Sequence, residues 1–255
     1  MEKQPQFPAE EVTLPSKGRF YPKDSPLSKG VIEMKYMTAR EEDILTNPNF
    51  IKKGNVIDKL LKSLIVTSGF KYEELLTGDK NAIMVAARIL GYGAEYEIKR
   101  IHPETGQEVK ATIDLSKIED KSLDKDVVDS NNNEFSFTLP TTKTKITFKF
   151  LNQSDESKID KEIEGMQKIN KRASEGLIRM KHTILSINGD YDSQTIRNFI
   201  DNNFLAKDAR ALRNYITKIT PGIDMRVSVE FKDGYVEDDV FLPINLNFFW
   251  PDAEL

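Results

Sequence analysis

The feature that most constrains the fold of this 255-residue chain is a change of hydrophobic period that occurs twice. In each half, apolar residues recur every three or four positions and then begin to alternate with polar residues on both sides of a tight turn. The first change follows Gly91 and the second follows Pro221. A period of 3.6 residues is typical of an amphipathic helix and a period of two is typical of a half-buried strand. The pattern therefore predicts an α+β fold with helices and a β-hairpin in each half.

Polar residues mark where the predicted helices of the first half begin. Thr38 and the glutamate three residues later form a capping box, which predicts a helix that ends before Pro48. Asn55 and Asp79 are the predicted N-caps of two further helices, and the second of these is expected to end at Gly91. Because the apolar residues of these helices fall on one face, we expect the helices to pack against a common core.

The second half contains a longer apolar stripe. Apolar residues advance by three or four positions from Ile159 to Ile184, which predicts a single long helix. Gly165 and Gly176 each weaken such a helix by roughly 1 kcal/mol relative to alanine, so two shorter helices are the alternative. A further helix is expected to begin at Asp208. The two predicted hairpins pair residues 92–101 with 109–115 and residues 225–231 with 235–242.

Proline content and a polar stretch in the middle of the chain predict the domain organisation. Five prolines among the first thirty residues disfavour helices, so residues 1–30 are interpreted as an extended proline-rich arm outside the core. Residues 116–134 are charged and polar and include three consecutive asparagines, which is typical of a linker. We therefore expect a first α+β unit over residues 31–133 and a second, with the aromatic C-terminal tail, over residues 134–255.

Two groups of aromatic residues are the candidate partner-binding residues. Phe20 and Tyr21 lie in the predicted arm, where they can be buried against this chain or against a partner. Phe248, Phe249 and Trp250 lie close to the C-terminus, where chains are usually polar and frayed. The tail either packs back on its own domain, which we favour for Trp250, or anchors a partner, because aromatic side chains dominate interface hot spots.

One segment near the start of each half is similar in sequence. Residues 32–38 align with residues 146–152, and a Leu-Pro pair precedes each segment, at Leu14 and at Leu139. Helices and then a hairpin follow in both halves. This similarity suggests a duplicated α+β unit. The alternative is that strand, helix and hairpin recur by chance in an α+β protein.

Composition argues against catalytic and cofactor chemistry. The chain has no cysteine and two histidines, so it lacks thiolate ligands, a cysteine nucleophile and a three-histidine zinc site. It contains neither a GxxxxGK[ST] nor a GxGxxG phosphate-binding motif. His102 is expected in a plain hairpin turn and His182 on an exposed helix face. We therefore expect no catalytic residue, no metal site and no cofactor.

The charge balance and the N-terminus argue against nucleic-acid and membrane partners. The 37 basic and 41 acidic residues give a net charge of −4, which provides no overall attraction to phosphate backbones. No stretch approaches the ~18 continuous apolar residues typical of a membrane helix. The N-terminus also lacks the apolar run of a secretory signal. We expect a cytoplasmic product that binds neither nucleic acid nor membrane.

Several short motifs in both halves are distinctive enough to compare with known families. In the C-terminal half these are K-D-A-R-x-x-R-x-Y-I from Lys207, P-x-x-D-M from Pro221 and L-P-I-x-x-x-F-F-W-P from Leu242. In the N-terminal half they are L-P-S-K-G from Leu14 and T-A-R-E-E-D-I-L from Thr38. They are similar to motifs of the baseplate hub proteins of T-even-type contractile-tailed bacteriophages, and the match spans most of the chain. Some members carry cysteine pairs in the hairpins, which this chain lacks.

The resemblance implies a non-enzymatic role in building the baseplate or its central hub. The implied partners are other baseplate or hub proteins, and an oligomer within the tail assembly is left open. The implied locations are the virion tail and, during assembly, the host cytoplasm. An alternative is an assembly chaperone that is absent from the mature virion. A third class, an enzyme such as a peptidoglycan hydrolase, would need paired catalytic carboxylates that the sequence does not indicate.

Overall fold

The fold combines α-helices with antiparallel sheets. A computed structural model describes residues 8–122, 127, 132–168 and 174–249. Every strand pairing within these residues is antiparallel. Buried apolar side chains from both halves form a contiguous core. The α+β class predicted from the change of hydrophobic period is therefore confirmed.

Groups of strands and groups of helices follow one another along the described chain. Those of the first half are β1 (Ala9–Thr13), β2 (Val31–Lys35), α1 (Ala39–Leu45), α2 (Pro48–Lys52), α3 (Val56–Leu64), α4 (Thr77–Tyr92), β3 (Glu95–Ile101) and β4 (Glu108–Asp114). Those of the second half are β5 (Phe135–Thr138), β6 (Lys145–Phe148), α5 (Gln153–Lys168), α6 (Glu175–Thr183), β7 (Ile184–Ile187), α7 (Ser193–Asn202), α8 (Ala206–Ile219), β8 (Arg226–Phe231), β9 (Val236–Phe241) and α9 (Leu246–Phe249). Both predicted hairpins are present, as β3–β4 and β8–β9.

The largest sheet takes two strands from each half of the chain. Its strand order is β3-β4-β8-β9, and the two hairpins meet where Ala111 of β4 lies opposite Phe231 of β8. β1 and β2 form a two-stranded sheet, and β5, β6 and β7 form a three-stranded sheet. The halves are thus joined through backbone hydrogen bonds as well as through the core. The predicted boundary between units near residue 133 stays a prediction.

Residues 9–30 are held on the folded chain and several of their side chains are buried in its core, which corrects, for this segment, the prediction of an arm outside the core. β1 pairs along its whole length with β2. Leu14, Phe20 and Leu27 are buried in the core. The prolines of this segment are compatible with strands and turns although they disfavour a helix, so the segment buries spaced side chains without forming one.

The capping box at the start of α1 is confirmed, and its glutamate is fully buried. Glu41 accepts hydrogen bonds from the backbone N of Thr38 (3.0 Å), from Nζ of Lys35 (2.8 Å) and from Oγ of Ser63 (2.7 Å). Burial opposes ionisation of this carboxyl group, but these hydrogen bonds outweigh it and lower the pKa of Glu41 to about 2. Glu41 therefore fastens α1 to both β2 and α3.

The predicted N-cap roles of Asp79 and Asp208 are wrong. Each aspartate is the third residue of its helix, α4 or α8, and each is fully buried. Asp79 accepts hydrogen bonds from the backbone N and Oγ of Ser16 (2.9 and 2.7 Å), and Asp208 accepts from the backbone N atoms of Thr141 and Thr142 (2.8 and 3.0 Å). A helix N-terminus favours a negative charge, and these loops supply the N–H donors that bind it.

The two halves also share an ion pair at equivalent positions, between the end of a strand and the helix that follows it. Nζ of Lys35 lies 2.8 Å from Glu41, and Nζ of Lys149 lies 2.6 Å from Asp155. The two ion pairs have the same spacing and occupy positions that the sequence alignment of the halves equates. Contacts of this kind are what a duplicated unit would produce, and superposition of the two halves is the test of that hypothesis.

The apolar stripe of the second half is divided between two helices and a strand. α5 ends at Lys168 and α6 begins at Glu175, while residues 169–173 lie outside the described part of the chain. Ile184 begins β7, which corrects the prediction that the helix extends through this residue. β7 pairs with β6 because its apolar side chains are buried in the sheet, and this pairing overrides the helical period.

The backbones of the two halves are in close contact at Gly78, in the first turn of α4. A Cβ atom at this position would lie 1.9 Å from the carbonyl oxygen of Pro221, which follows α8. No side chain fits between these backbones, so glycine is required here for its size. The contact brings the start of α4 against the loop that leads into the second hairpin.

Candidate partner-binding surface

Phe20, the first predicted partner-binding residue, packs inside the chain. Its ring centroid lies 5.6 Å from that of Phe135 and 5.1 Å from that of Phe150, in edge-to-face arrangements. Phe135 begins β5 and Phe150 follows β6. The N-terminal segment is therefore held against the second half by an aromatic cluster, which is a favourable geometry for aromatic rings.

The hydroxyl group of Tyr21 completes the hydrogen bonding of a buried carboxylate. It donates to Oδ2 of Asp79 (2.6 Å) and accepts from the backbone N of Leu76 (3.0 Å). Burial and the neighbouring charge of Asp79 raise the pKa of Tyr21. Burial also raises the pKa of Asp79, although the hydrogen bonds from Tyr21 and Ser16 oppose this shift. Tyr21 is a neutral donor that fixes the start of α4.

The outer edges of these two aromatic residues line a surface groove, which we call the Tyr21 groove. Phe20, Tyr21 and Leu76 contribute its apolar lining, and its volume is about 480 Å³. Asp24 and Glu74 are exposed at the groove, and its described lining contains no lysine or arginine. The groove therefore combines aromatic edges with two negative charges.

Phe248 and Phe249 are buried in this chain as well. The ring centroid of Phe248 lies 5.3 Å from that of Tyr96, and its backbone oxygen accepts a hydrogen bond from Nε of Arg88 (3.1 Å). The tail therefore docks on this chain as far as Phe249, with contacts to α4 and β3 of the first half. Trp250 lies outside the described residues, so its docking stays a prediction, as does the partner-binding role of the aromatic residues.

Arg88 of α4 holds the tail with a buried cation. Its guanidinium carbon lies 4.9 Å from the ring centroid of Tyr92 and 5.5 Å from that of Tyr96, and Nη1 donates to the backbone oxygen of Gly93 (3.3 Å). Burial lowers the pKa of Arg88. The sequence pattern gave no sign of this role for Arg88, because an arginine on an amphipathic helix normally faces solvent.

His102 joins the tips of the two hairpins. It lies in the predicted turn but is 3% exposed, with its ring centroid 4.7 Å from that of Phe231 and 5.1 Å from that of Tyr235. Nδ1 accepts from the backbone N of Glu104 (3.2 Å), and Nε2 lies 3.1 Å from Oδ2 of Asp233 without the alignment of a hydrogen bond. The predicted hairpin turn is present, and its histidine also packs between the two hairpins.

His182 is partly buried, which corrects the prediction of an exposed histidine. Its Nε2 lies 3.0 Å from Oε2 of Glu162, and Nη1 of Arg197 donates to Oε1 of the same carboxylate (2.8 Å). The hydrogen bonds from Arg197 and His182 lower the pKa of Glu162 to about 2. The three side chains connect α5, α6 and α7.

Exposed apolar side chains occur on the edge strands of the four-stranded sheet. Ile101 at the end of β3 is 65% exposed, and Val236 and Phe241 of β9 are 48% and 63% exposed. None of them was among the predicted site residues. Each is an apolar residue at a strand position where the alternation calls for a polar one, and this signal could have identified them.

The described residues were also compared with the requirements of a metal site and of a membrane-spanning helix. Within residues 8–122, 127, 132–168 and 174–249, no group of three or more acidic or histidine side chains is placed to hold a metal ion. In the same part of the chain, every helix is too short or too polar to cross a membrane.

Comparison with known protein families identifies the class of this chain. Residues 9–250 match the family described as T4 bacteriophage base plate protein. Because the match covers nearly the whole sequence, the chain belongs to this family of baseplate proteins of T4-type phages. Membership implies a location in the virion tail and contacts with other phage tail proteins. No curated protein and no solved structure matches the chain.

Proposed function

We propose that this protein is a non-enzymatic structural component of the phage baseplate, or of its central hub, and that it acts through contacts with other baseplate proteins. The family match over residues 9–250 is the observation that carries the proposal. The proposed partners are proteins, with neither nucleic acid nor membrane among them, in keeping with the net charge of −4. The protein would join the tail during assembly in the host cytoplasm.

The Tyr21 groove is the proposed contact surface for one partner. Asp24 and Glu74 give the groove a negative potential, which favours a partner segment that carries lysine or arginine. Phe20 and Tyr21 form the nearly buried floor of the groove, and exposed Pro22 beside them offers apolar area to that segment. The C-terminal tail is a second proposed contact region, with Trp250 next to two phenylalanines that already dock on this chain.

Mass spectrometry of purified virions tests the proposed role. A structural component is expected to give peptides in a fixed ratio to those of known tail proteins. Peptides that are present in infected cells but absent from complete virions would contradict the proposal and support the alternative, an assembly chaperone that leaves before the particle is complete.

A matched pair of charge reversals tests the groove. Asp24→Arg places a cation in the Tyr21 groove, whereas Asp43→Arg makes the same change on the exposed face of α1. Both proteins are expected to melt like the wild type, because both positions are exposed. Asp24→Arg is expected to reduce incorporation into tails by about tenfold or more, because like charges then meet across the interface. Equal incorporation of the two variants would exclude the groove as a contact surface.

A further inference from the structure

A second depression lies on the other side of the turn Tyr72–Glu74 from the Tyr21 groove. We call it the Gln153 cavity; it lies between α3 and the start of α5, and its volume is about 230 Å³. Glu73 lines this cavity, while Glu74 lines the Tyr21 groove. Neighbouring residues of this turn therefore line the two depressions, so that one partner could cover both.

Gln153 presents a hydrogen-bond donor that no described protein group uses. Its side chain lines the cavity and the residue is 5% exposed. Oε1 accepts a hydrogen bond from Nζ of Lys80 (2.9 Å), whereas Nε2 is buried without a partner. Because the Lys80 ammonium can only donate, Oε1 has to face it, and this fixes the orientation of the amide. A group that accepts from Nε2 would recover the free energy lost by burying an unpaired N–H.

Asn55 supplies an unused acceptor in the same cavity. Its Oδ1 is buried and has no partner among the described residues. Asn55 is the N-cap residue of α3, but its side chain makes no capping hydrogen bond to that helix. The carbonyl oxygen of a typical capping asparagine accepts a hydrogen bond from the helix, and here it has no protein donor among the described residues.

The charges around the cavity balance. Lys59 and Lys62 line it together with Asp58 and Glu73, so its described lining has equal numbers of positive and negative groups. Lys62 already pairs with Glu73 at 2.6 Å. A charged ligand group would have to lose its hydration beside charges of its own sign, whereas a neutral polar group would not.

We propose that the Gln153 cavity receives a carboxamide group, the side chain of an asparagine or glutamine of a partner protein. A carboxamide offers a carbonyl oxygen to Nε2 of Gln153 and an N–H to Oδ1 of Asn55. A carboxylate lacks the donor, and an ammonium group lacks the acceptor. This inference rests on the proposed function, since the carboxamide comes from a partner at the adjoining groove.

An ordered water is the competing occupant. A water molecule can also donate and accept a hydrogen bond. One water, however, occupies only ~10–15 Å³, and the cavity volume is about 230 Å³. The cavity is thus large enough for a side-chain amide.

The first experiment uses the purified full-length chain and two small probes of the same shape. Acetamide and acetate are titrated separately while the side-chain amide signals of Gln153 are followed by ¹⁵N NMR, assigned by triple-resonance spectra of the wild-type chain. We expect a saturable shift with acetamide and none with acetate. The absence of a saturable acetamide shift would mean bound water only, and an equal response to acetate would mean a carboxylate site; either result overturns the proposal.

The second experiment uses phage that carry the variants. Gln153→Leu removes the unpaired donor, and Gln107→Leu makes the same replacement in the exposed turn of the first hairpin. We expect both proteins to melt like the wild type and Gln153→Leu alone to enter tails about tenfold less well. If Gln153→Leu fails to fold, the acetamide titration of the wild type still tests whether the cavity binds a carboxamide. A wild-type chain missing from virions would refute the proposed function, whereas equal incorporation of the two variants would refute only the carboxamide site.

Discussion

Buried carboxylates that bind another element are the residues on which this fold depends most. Glu41, Asp79 and Asp208 are all completely buried near the start of a helix, and each accepts hydrogen bonds from outside that helix. Such a residue contributes twice, because it stabilises the helix N-terminus and satisfies donors of a neighbouring strand or loop. Removing one of these charges should therefore affect more than a single contact.

Glu41→Gln is expected to lower the free energy of unfolding by about 3 kcal/mol at neutral pH. The pKa of Glu41 is lowered from 4.5 to about 2, and each unit is equivalent to ~1.4 kcal/mol. Because the pKa is lower in the folded state, the stability from this group is complete above about pH 4.5 and is lost as the pH falls towards about 2. Denaturant titrations between pH 7 and pH 2 would measure this loss.

Glu42→Gln is the control for that experiment. Glu42 is exposed on the same helix, so this variant should follow the wild type within about 0.5 kcal/mol at each pH. Glu162 also has a pKa of about 2, so both variants retain part of the acid sensitivity. If Glu41→Gln kept the full pH dependence of the wild type, the contacts of Glu41 would not stabilise the ionised form.

Tyr21→Phe is expected to destabilise the protein by roughly 1–3 kcal/mol, because it removes one buried hydrogen bond to Asp79 and leaves the backbone N of Leu76 without its partner. Tyr36→Phe removes a hydroxyl that bonds to exposed Glu10, and this change should be close to neutral. Thermal unfolding of the two variants gives the comparison. Equal melting temperatures would show that the buried hydroxyl of Tyr21 does not secure the N-terminal segment.

At the scale of elements, the starts of the helices show what local sequence can predict. The capping box of α1 joins residues three positions apart, so the pattern contained both partners. Asp79 and Asp208 look like N-caps in sequence, but their partners lie 63 and 67 residues away. Only the packing of a loop against each helix reveals their role, and a local pattern contains no information about that packing.

Gly78→Ala is expected to be among the most damaging small substitutions in the helices. Its Cβ atom would lie 1.9 Å from the carbonyl oxygen of Pro221, so the two halves would have to separate at the start of α4. We expect a loss of about 3 kcal/mol, at the upper end of the usual cost of overpacking, because the atom in the way belongs to the backbone. Equilibrium unfolding in denaturant provides the measurement.

Gly165→Ala is the matched control for Gly78→Ala. A Cβ atom on Gly165, within α5, would have no neighbour within 4 Å. Since alanine favours the helix, this replacement should stabilise the protein by about 0.5–1 kcal/mol. Similar effects of the two alanines would mean that Gly78 and Pro221 are not in close contact.

At the scale of the whole molecule, the change of period predicted the α+β class and both hairpins, because strand and helix patterning is local. The core position of residues 9–30 was not predicted, because proline content describes what a segment cannot form and not where it packs. The Tyr21 groove and the Gln153 cavity were also beyond prediction. Each is lined by residues from both halves, so each exists only once the chain has folded.

Truncation of a buried and of an exposed phenylalanine should affect the stability of the protein very differently. Phe248→Ala is expected to cost about 3–5 kcal/mol, because its fully buried ring packs against Tyr96 in the core. Phe241→Ala, on an exposed edge strand, should cost about 1 kcal/mol or less. Chemical denaturation of both variants would test this. A small effect at Phe248 would mean that the C-terminal tail does not stabilise the isolated chain.

The pairing of β4 with β8 sets an order of events during synthesis. β4 leaves the ribosome more than a hundred residues before β8 does. At roughly 5–20 residues per second, the first hairpin therefore exposes an unpaired strand for roughly 5–20 s. Unpaired strand edges associate readily with other chains. A ribosome that stalls in the second half would thus release a fragment prone to aggregation, so that incomplete chains would be removed before they could compete for a place in the tail.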